Sequence, residues 1–290
     1  MTSTNRASAT LGLLFAASTW GFIWFPYRML QDAGIAGAAA SLLTYCIAAV
    51  IGGLYCWRHC SGLLRQPRSI LWLALAAGWT NLAYVLAVID GEVMRVMLLF
   101  YLSPLWTLVL AHFWLRERSG TSGISAIALS LVGAYVMLSS SAALPLPQNR
   151  AEWMGLSAGM AFALANVLTR KARELSLRAK SFAVWIGVTV VSALYIAISG
   201  AETLPTQAAL VSNAMLLLGV GLLLALATVA VQFGLTHTPV TRASVIFLFE
   251  LVVAALTSYW LAGEALVLRE WLGGGLIIVA AVLAAKAEAR

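Results

Sequence analysis

Uncharged apolar stretches recur about every 25 residues from one end of the chain to the other. Residues 7–27, 33–57, 69–89, 96–115, 119–149, 181–201 and 203–241 contain no Asp, Glu, Lys or Arg. A spanning helix needs about 20 predominantly apolar residues, because the hydrocarbon slab of a bilayer is about 30 Å thick. On that measure the chain divides into ten helical segments, at about 9–30, 35–57, 69–89, 93–115, 121–140, 152–172, 180–199, 213–236, 242–262 and 269–286. The long run 203–241 leaves room for one span and a preceding loop, which Pro205 and Asn213 mark.

The last five segments echo the first five. Sliding the fourth onto the ninth by 147 positions aligns Arg95 with Arg242, Phe100 with Phe247 and Glu117 with Glu264, without a gap. An offset of 143 pairs Gly12-Leu13 with Gly155-Leu156 and Arg28 with Lys171. Five is odd, so the second group must enter the membrane from the face opposite to the first. The expected fold is an all-α integral membrane protein, with ten transmembrane helices as two inverted five-helix repeats. The repeats are 1–140 and 151–290, joined by a linker loop at 141–150. Inverted repeats are the architecture of many secondary transporters, since each half can adopt the conformation of the other.

Composition and charge sharpen this picture. With 62% hydrophobic and 10% charged residues, no stretch remains for a soluble domain. The net charge of +7 is unevenly spread: 14 of the 18 basic residues fall on the side of the N-terminus, and only Arg28, Arg95, Arg150 and Arg269 on the other. Lys and Arg accumulate on the cytoplasmic face, so both termini are expected inside a cell (inner) membrane. No basic face outside the membrane suits nucleic acid, and the helical block is compatible with a monomer. Cys46, Cys56 and Cys60 fit neither a disulfide in that compartment nor a zinc spacing. Ala16-Ala17-Ser18 could pass for a cleavage site, but the apolar run continues to Leu30, so the segment reads as a span rather than a signal peptide.

Enzyme signals are weak. Gly155-Leu156-Ser157-Ala158-Gly159 spells a nucleophile elbow, but that motif needs a strand-turn-helix setting. His59, His112 and His237 are placed in a loop or near helix ends, and no metal site, cofactor motif or loop able to hold a nucleotide-binding fold is expected. The chain therefore reads as a non-enzymatic secondary carrier of a small-molecule substrate.

Glu250 is the only acidic residue near the middle of a span, and a carboxylate there marks a functional site by default. It could bind a cargo ammonium group or a proton, or specify helix packing. Polar and aromatic residues pair one turn apart on other segments: Trp20 with Trp24, Asn81 with Tyr84, Phe162 with Asn166, and Thr228 with Gln232. Tyr101 precedes Pro104, whose missing N–H breaks the fourth segment at membrane depth and frees backbone groups for a ligand. Pro26 is nearer an end and reads as a terminal kink. Small residues on the fifth and tenth segments (Gly123, Ser130, Gly133 and Gly273-Gly274-Gly275) suit close scaffold crossings.

The stretch Phe247-Leu248-Phe249-Glu250-Leu251, followed by Trp260-Leu261-Ala262-Gly263-Glu264, resembles the signature of an EamA-type member of the drug/metabolite transporter superfamily. The proline expected after Glu250 is Leu251, while the fourth segment has Pro104 but lacks the carboxylate. Tyr101-Leu102-Ser103-Pro104, with Glu92-Val93 before it, looks most like the bacterial aromatic amino acid exporters. The resemblance implies a cavity lined by segments 1, 3, 4, 6, 8 and 9. Trp20, Trp24, Tyr84 and Tyr101 would then stack on the cargo, with Asn81, Asn166, Gln232 and Glu250 meeting its polar end. The expected function is export of aromatic or other neutral hydrophobic amino acids by alternating access, the two halves rocking about the cavity. A multidrug or sugar-phosphate carrier is the alternative, with a non-transporting membrane enzyme or sensor behind it. A sugar-phosphate carrier should bury basic residues, whereas all Lys and Arg here fall at segment ends.

Overall fold

A computed structural model describes residues 3–56, 67–91, 93–117, 120–138, 147–199, 204–263 and 267–286. Trp57, Cys60, Glu92, Glu264 and positions 141–146 of the expected linker lie outside the described residues. The helices are α1 (Ser3–Asp32), α2 (Gly37–Cys56), α3 (Pro67–Asp90), α4 (Val93–Phe100), α5 (Ser103–Leu110), α6 (Thr121–Leu138), α7 (Arg150–Lys171), α8 (Leu177–Ser199), α9 (Gln207–Ser212), α10 (Ala214–His237), α11 (Val240–Phe247), α12 (Phe249–Thr257) and α13 (Leu268–Lys286). Eight stretches are long and apolar enough to cross a membrane, among them Val96–Leu115 and Val240–Leu261, which each join two helices. The shorter apolar helix Thr121–Met137 and α13 complete the ten rods of an all-α membrane protein.

Local chemistry explains several boundaries. At the start of α7 the Asn149 side chain accepts from the Glu152 N–H at 2.9 Å, while the Glu152 carboxylate accepts from the Gln148 N–H at 2.8 Å. This reciprocal cap holds donors that a helix start otherwise leaves open. The short α9, which hydropathy alone does not reveal, begins where the Thr206 hydroxyl accepts from the Ala209 N–H. Pro26 does not terminate or divide α1, which continues to Asp32.

Glycines set the closest crossings. A Cβ at Gly187 would lie 2.1 Å from the Ala74 carbonyl oxygen, so only glycine allows α8 to approach α3 this closely. Gly133 and Gly273 likewise bring α6 and α13 together backbone to backbone, as expected for a scaffold pair.

The sequence halves are not separate packing bodies. α1 lies against α10, α11 and α12 of the second half, and α7 lies against α3, α4 and α5 of the first. Each repeat thus lends its first helix to the other. This packing groups α3, α4, α5 and α7 on one side and α1, α10, α11 and α12 on the other as two swapped four-helix groups.

The repeat survives in fine detail in the fourth and ninth segments. The chain breaks between α4 and α5 at Tyr101-Leu102, and between α11 and α12 at Leu248, 147 positions after Tyr101. A π-helical turn follows at Ala111–Leu115 and again at Ser258–Ala262, the same 147 positions on. Arg116 then turns left-handed at φ 55°, and Gly263 does so at φ 68°.

Candidate functional site

The two breaks arise differently. Pro104 has no N–H, so the Phe100 carbonyl cannot receive the helical bond that would close on it. Leu251 occupies the equivalent position and has its N–H, yet it bonds the Leu248 carbonyl at 3.1 Å, three residues back instead of four. The missing proline therefore does not straighten the ninth segment. Each broken helix is approached by a glycine on its neighbour. A Cβ at Gly159 of α7 would stand 2.5 Å from the Phe100 carbonyl oxygen, and one at Gly21 of α1 would stand 2.6 Å from that of Glu250.

Aromatic rings bridge the breaks. Phe162 of α7 contacts Phe100 at 5.5 Å between centroids and Phe247 at 5.2 Å. Phe100 in turn touches Tyr84 at 5.0 Å and Tyr101 at 5.3 Å. These tilted and edge-on rings form a continuous floor across both broken helices. Phe100 and Phe247 are the residues aligned by the 147-position repeat, the signal that could have picked them out.

Above this floor, in the first turn of α12, lies Glu250. It is half-buried, and its carboxyl interacts with the Tyr101 hydroxyl and faces the Tyr84 ring. That hydroxyl is buried without a well-formed hydrogen bond. Among the described residues no Lys or Arg forms an ion pair with Glu250, whereas Arg170 pairs with Glu117. Trp24 stands beside the site, its indole N–H donating to the Thr257 hydroxyl of α12 at 3.0 Å. Asn81, one turn from Tyr84 on α3, has a buried side-chain oxygen without a partner.

The other candidates fall on the side of the floor toward the N-terminal face. Trp20 packs against the apolar cluster that holds Leu13, Ala16, Ile246 and Phe247, while the next residue, Gly21, abuts the Glu250 backbone. Asn166 is buried one turn beyond Phe162, and its amide nitrogen has no partner. Gln232 is buried and accepts from the Thr169 hydroxyl at 2.9 Å. Tyr84, Tyr101 and Glu250 are thus brought together, Asn81 lies one turn from Tyr84, Trp20 and Trp24 flank Gly21 on the helix that abuts the Glu250 backbone, and Asn166 and Gln232 lie nearer the N-terminal face.

The two ends of this region differ. Toward the N-terminal face α5 packs on α11 and α7 on α10. The Arg170 guanidinium donates to the Thr236 carbonyl at 2.6 Å and to Glu117 at 3.0 Å, and the Lys180 ammonium donates to the Thr236 hydroxyl. Toward the opposite face the equivalent pairs, α4 with α12 and α1 with α3, approach less closely, although Met97, Leu98 and Phe100 share one apolar cluster with Leu251 and Val252. The two ends thus differ in their ties: polar bonds join α7 and α8 to α10 at one, and the Glu250 carboxylate lies beyond the rings toward the other.

The model of the EamA-like transporter family matches the chain twice, over residues 7–139 and 149–285. The chain belongs to the EamA-like transporter family. It is therefore a multi-pass membrane transporter, within the drug/metabolite transporter superfamily, handling small molecules in a lipid bilayer. An uncharacterized transporter of Archaeoglobus fulgidus is 27% identical over 223 residues, 76% of this chain and 77% of its own length. Protein RarD of Streptomyces exfoliatus is 25% identical over 283 residues, 94% of this chain and 87% of that one. A crystal structure, 17% identical, superposes with a TM-score of 0.79 over 98% of this chain and 100% of its own. At that identity the likeness speaks for the fold. In this EamA-like transporter the two matches correspond to the two sets of five rods.

Proposed function

We propose that this transporter exports small amphipathic amines, with aromatic or other neutral hydrophobic amino acids as the favoured cargo, across the cytoplasmic membrane. The observation that carries the reading is Glu250: a half-buried carboxylate at membrane depth with no cationic partner among the described residues, flanked by Tyr84 and Tyr101. An unpaired carboxylate in such a place is costly, and a cargo ammonium group would offset that cost. The two tyrosine rings supply flat surface for an aromatic side chain. The unpaired Asn81 oxygen offers a further acceptor for the ammonium.

Alternating access follows from the difference between the two ends. If the N-terminal face is cytoplasmic, as the basic residues argue, the inner end is the more firmly tied and the outer end the looser. The reverse state would part α7 from α10 and bring α1 against α3, each pair taking the other's arrangement. The moving bodies are the two swapped four-helix groups.

Purified protein in liposomes, offered a panel of amino acids and amines with and without a pH gradient, tests this directly. Uptake of phenylalanine and tyrosine, lost on Glu250→Gln, is the expected result. Undiminished uptake by Glu250→Gln would return that carboxylate to a packing role. A lone carboxylate among aromatic rings also suits hydrophobic cationic drugs. Transport of such cations in preference to amino acids would select that second reading.

A further inference from the structure

The basic pair at the tied end has a charge that the fold does not balance. Lys180 lies in the first turn of α8 and is wholly buried, with 0% of its surface exposed, although its sequence position suggests an ordinary helix-end charge. Its ammonium carries three donors, and its hydrogen bond goes to the neutral Thr236 hydroxyl. Arg170 is near enough to repel it. The nearby carboxylate, Glu117, is engaged by Arg170 through one oxygen, while its other oxygen is buried and unpartnered. Among the described residues, two cations therefore share one anion in a largely buried cluster. Burying an unmatched charge costs several kcal/mol, so the cluster favours a further anion.

Its position says when that anion could arrive. Thr236, which holds both cations, belongs to α10, whereas Arg170 belongs to α7. The Thr236 hydroxyl donates to the Gln232 carbonyl at 2.6 Å, and Gln232 accepts from Thr169 of α7. These are the contacts that must part when the N-terminal face opens. Parting them removes the Thr236 bonds from both cations at once and exposes their donors at the mouth. A zwitterionic cargo bound through its amine at Glu250 also has a carboxylate to satisfy, and among the described residues no Lys or Arg pairs with Glu250.

We infer that Lys180 and Arg170 form a binding station for the carboxylate of the cargo at the mouth on the N-terminal face. Identifying the anion as cargo rests on the amine-export reading above; the station itself rests on the unbalanced cluster. The station captures the cargo's carboxylate when the mouth is open, and Thr236 takes its place when the mouth closes.

Two half-cargo probes separate the claims. Phenylacetate has the carboxylate without the amine, and phenethylamine has the amine without the carboxylate. Binding is read from the rise in melting temperature of the purified full chain in nanodiscs of neutral phosphatidylcholine. Phenylacetate should stabilise the wild type, and Lys180→Met should weaken its binding at least tenfold while leaving that of phenethylamine unchanged. Lys180→Arg should keep most of the phenylacetate response, and Lys180→Gln repeats the test should the methionine variant fold poorly. Glu250→Gln should show the opposite selectivity. Phenylacetate binding unaltered by Lys180→Met or Lys180→Gln, or absent in the wild type, overturns the station. So does inorganic phosphate binding more tightly than phenylacetate, or a phenylacetate response abolished by anionic lipid, which would give the ammonium to a headgroup. Phenylacetate binding without any phenethylamine binding keeps the station and removes the amine-export reading.

Discussion

The interrupted rod at 93–115 and its counterpart at 240–262 break, widen and turn left-handed at positions 147 residues apart, yet they carry different chemistry. At the first break stand Tyr101, the buried Ser103 and Pro104; at the second, in register, stand Leu248, Glu250 and Leu251. The first rod supplies a hydroxyl and an aromatic surface, and the second supplies the charge. A duplicated backbone thus conserves the device that moves, while single substitutions distribute the site between its copies. On the alternating-access reading proposed above, inverted symmetry would govern how the two ends exchange states, and the departures from it what is bound between them.

The largest expected effect comes from the two glycines that let neighbours touch the breaks. Alanine at Gly159 or Gly21 drives a methyl group into a backbone oxygen at 2.5 or 2.6 Å, which a flexible side chain cannot relieve. Each should cost about 2–3 kcal/mol, the upper range for overpacking. Gly275→Ala is the control, because nothing lies within 4 Å of its added carbon. Thermal unfolding in detergent should show similar losses at both breaks and none at residue 275. A loss at only one break would end the equivalence of the two rods.

Next in size is Arg170→Gln, which addresses the two ends rather than the two breaks. The ion pair with Glu117 is largely but not fully buried, with 16% and 24% of the side chains exposed, and water weakens it accordingly. Its loss, with the bond to Thr236, should cost the tied end about 1–2 kcal/mol, a factor of about 5–30 in population. Thr169→Cys, introduced where the native cysteines are replaced, reports this through its rate of thiol labelling, since Thr169 is wholly buried at the tied end. An unchanged rate would show that apolar packing, not the polar ties, holds that end shut.

Which of these features could be read from residues alone follows from their physics. The spans were legible because hydrocarbon thickness imposes a length and forbids charge, and the repeat because offsets of 143 and 147 align several residues together. Pro104 announces its own break. Leu248 does not, because an ordinary leucine accepts a three-residue hydrogen bond when the surrounding rods demand a bend. The floor of Phe100, Phe162 and Phe247 was hidden because phenylalanine is unremarkable in an apolar segment. One-turn spacing places Trp20 and Trp24 on one helix, but it could not reveal that α1 packs into the other repeat, with Gly21 between them against the Glu250 backbone. Lys180 misled for a related reason: its place near a segment end suggests solvent, and only the approach of α10 buries it.

A comparison of two proline substitutions distinguishes the causes of the two breaks. Leu251→Pro removes an N–H that already bonds only three residues back, in a helix that already bends. Both side chains are buried and lose similar packing, so Leu251→Pro should cost about 2–3 kcal/mol less than Leu224→Pro in the unbroken interior of α10. Comparable losses at the two positions, measured by thermal unfolding, would mean that the second bend depends on the Leu251 bond.

The smallest effect should be a gain, at the turn after the π-helical segment. Arg116 adopts φ 55° where its counterpart Gly263 adopts φ 68°. Left-handed backbone costs a residue with a Cβ about 1 kcal/mol, because the Cβ crowds the following carbonyl, and glycine is free of that cost. Arg116 is exposed, so its replacement should disturb little packing. Arg116→Gly should therefore stabilise the protein by up to about 1 kcal/mol, partly offset by the greater freedom glycine gives the unfolded chain. Gly263→Arg should destabilise it by a similar amount. If Arg116→Gly instead lowers the melting temperature, the arginine side chain is contributing more there than its backbone strain costs, and the two turns differ in what holds them.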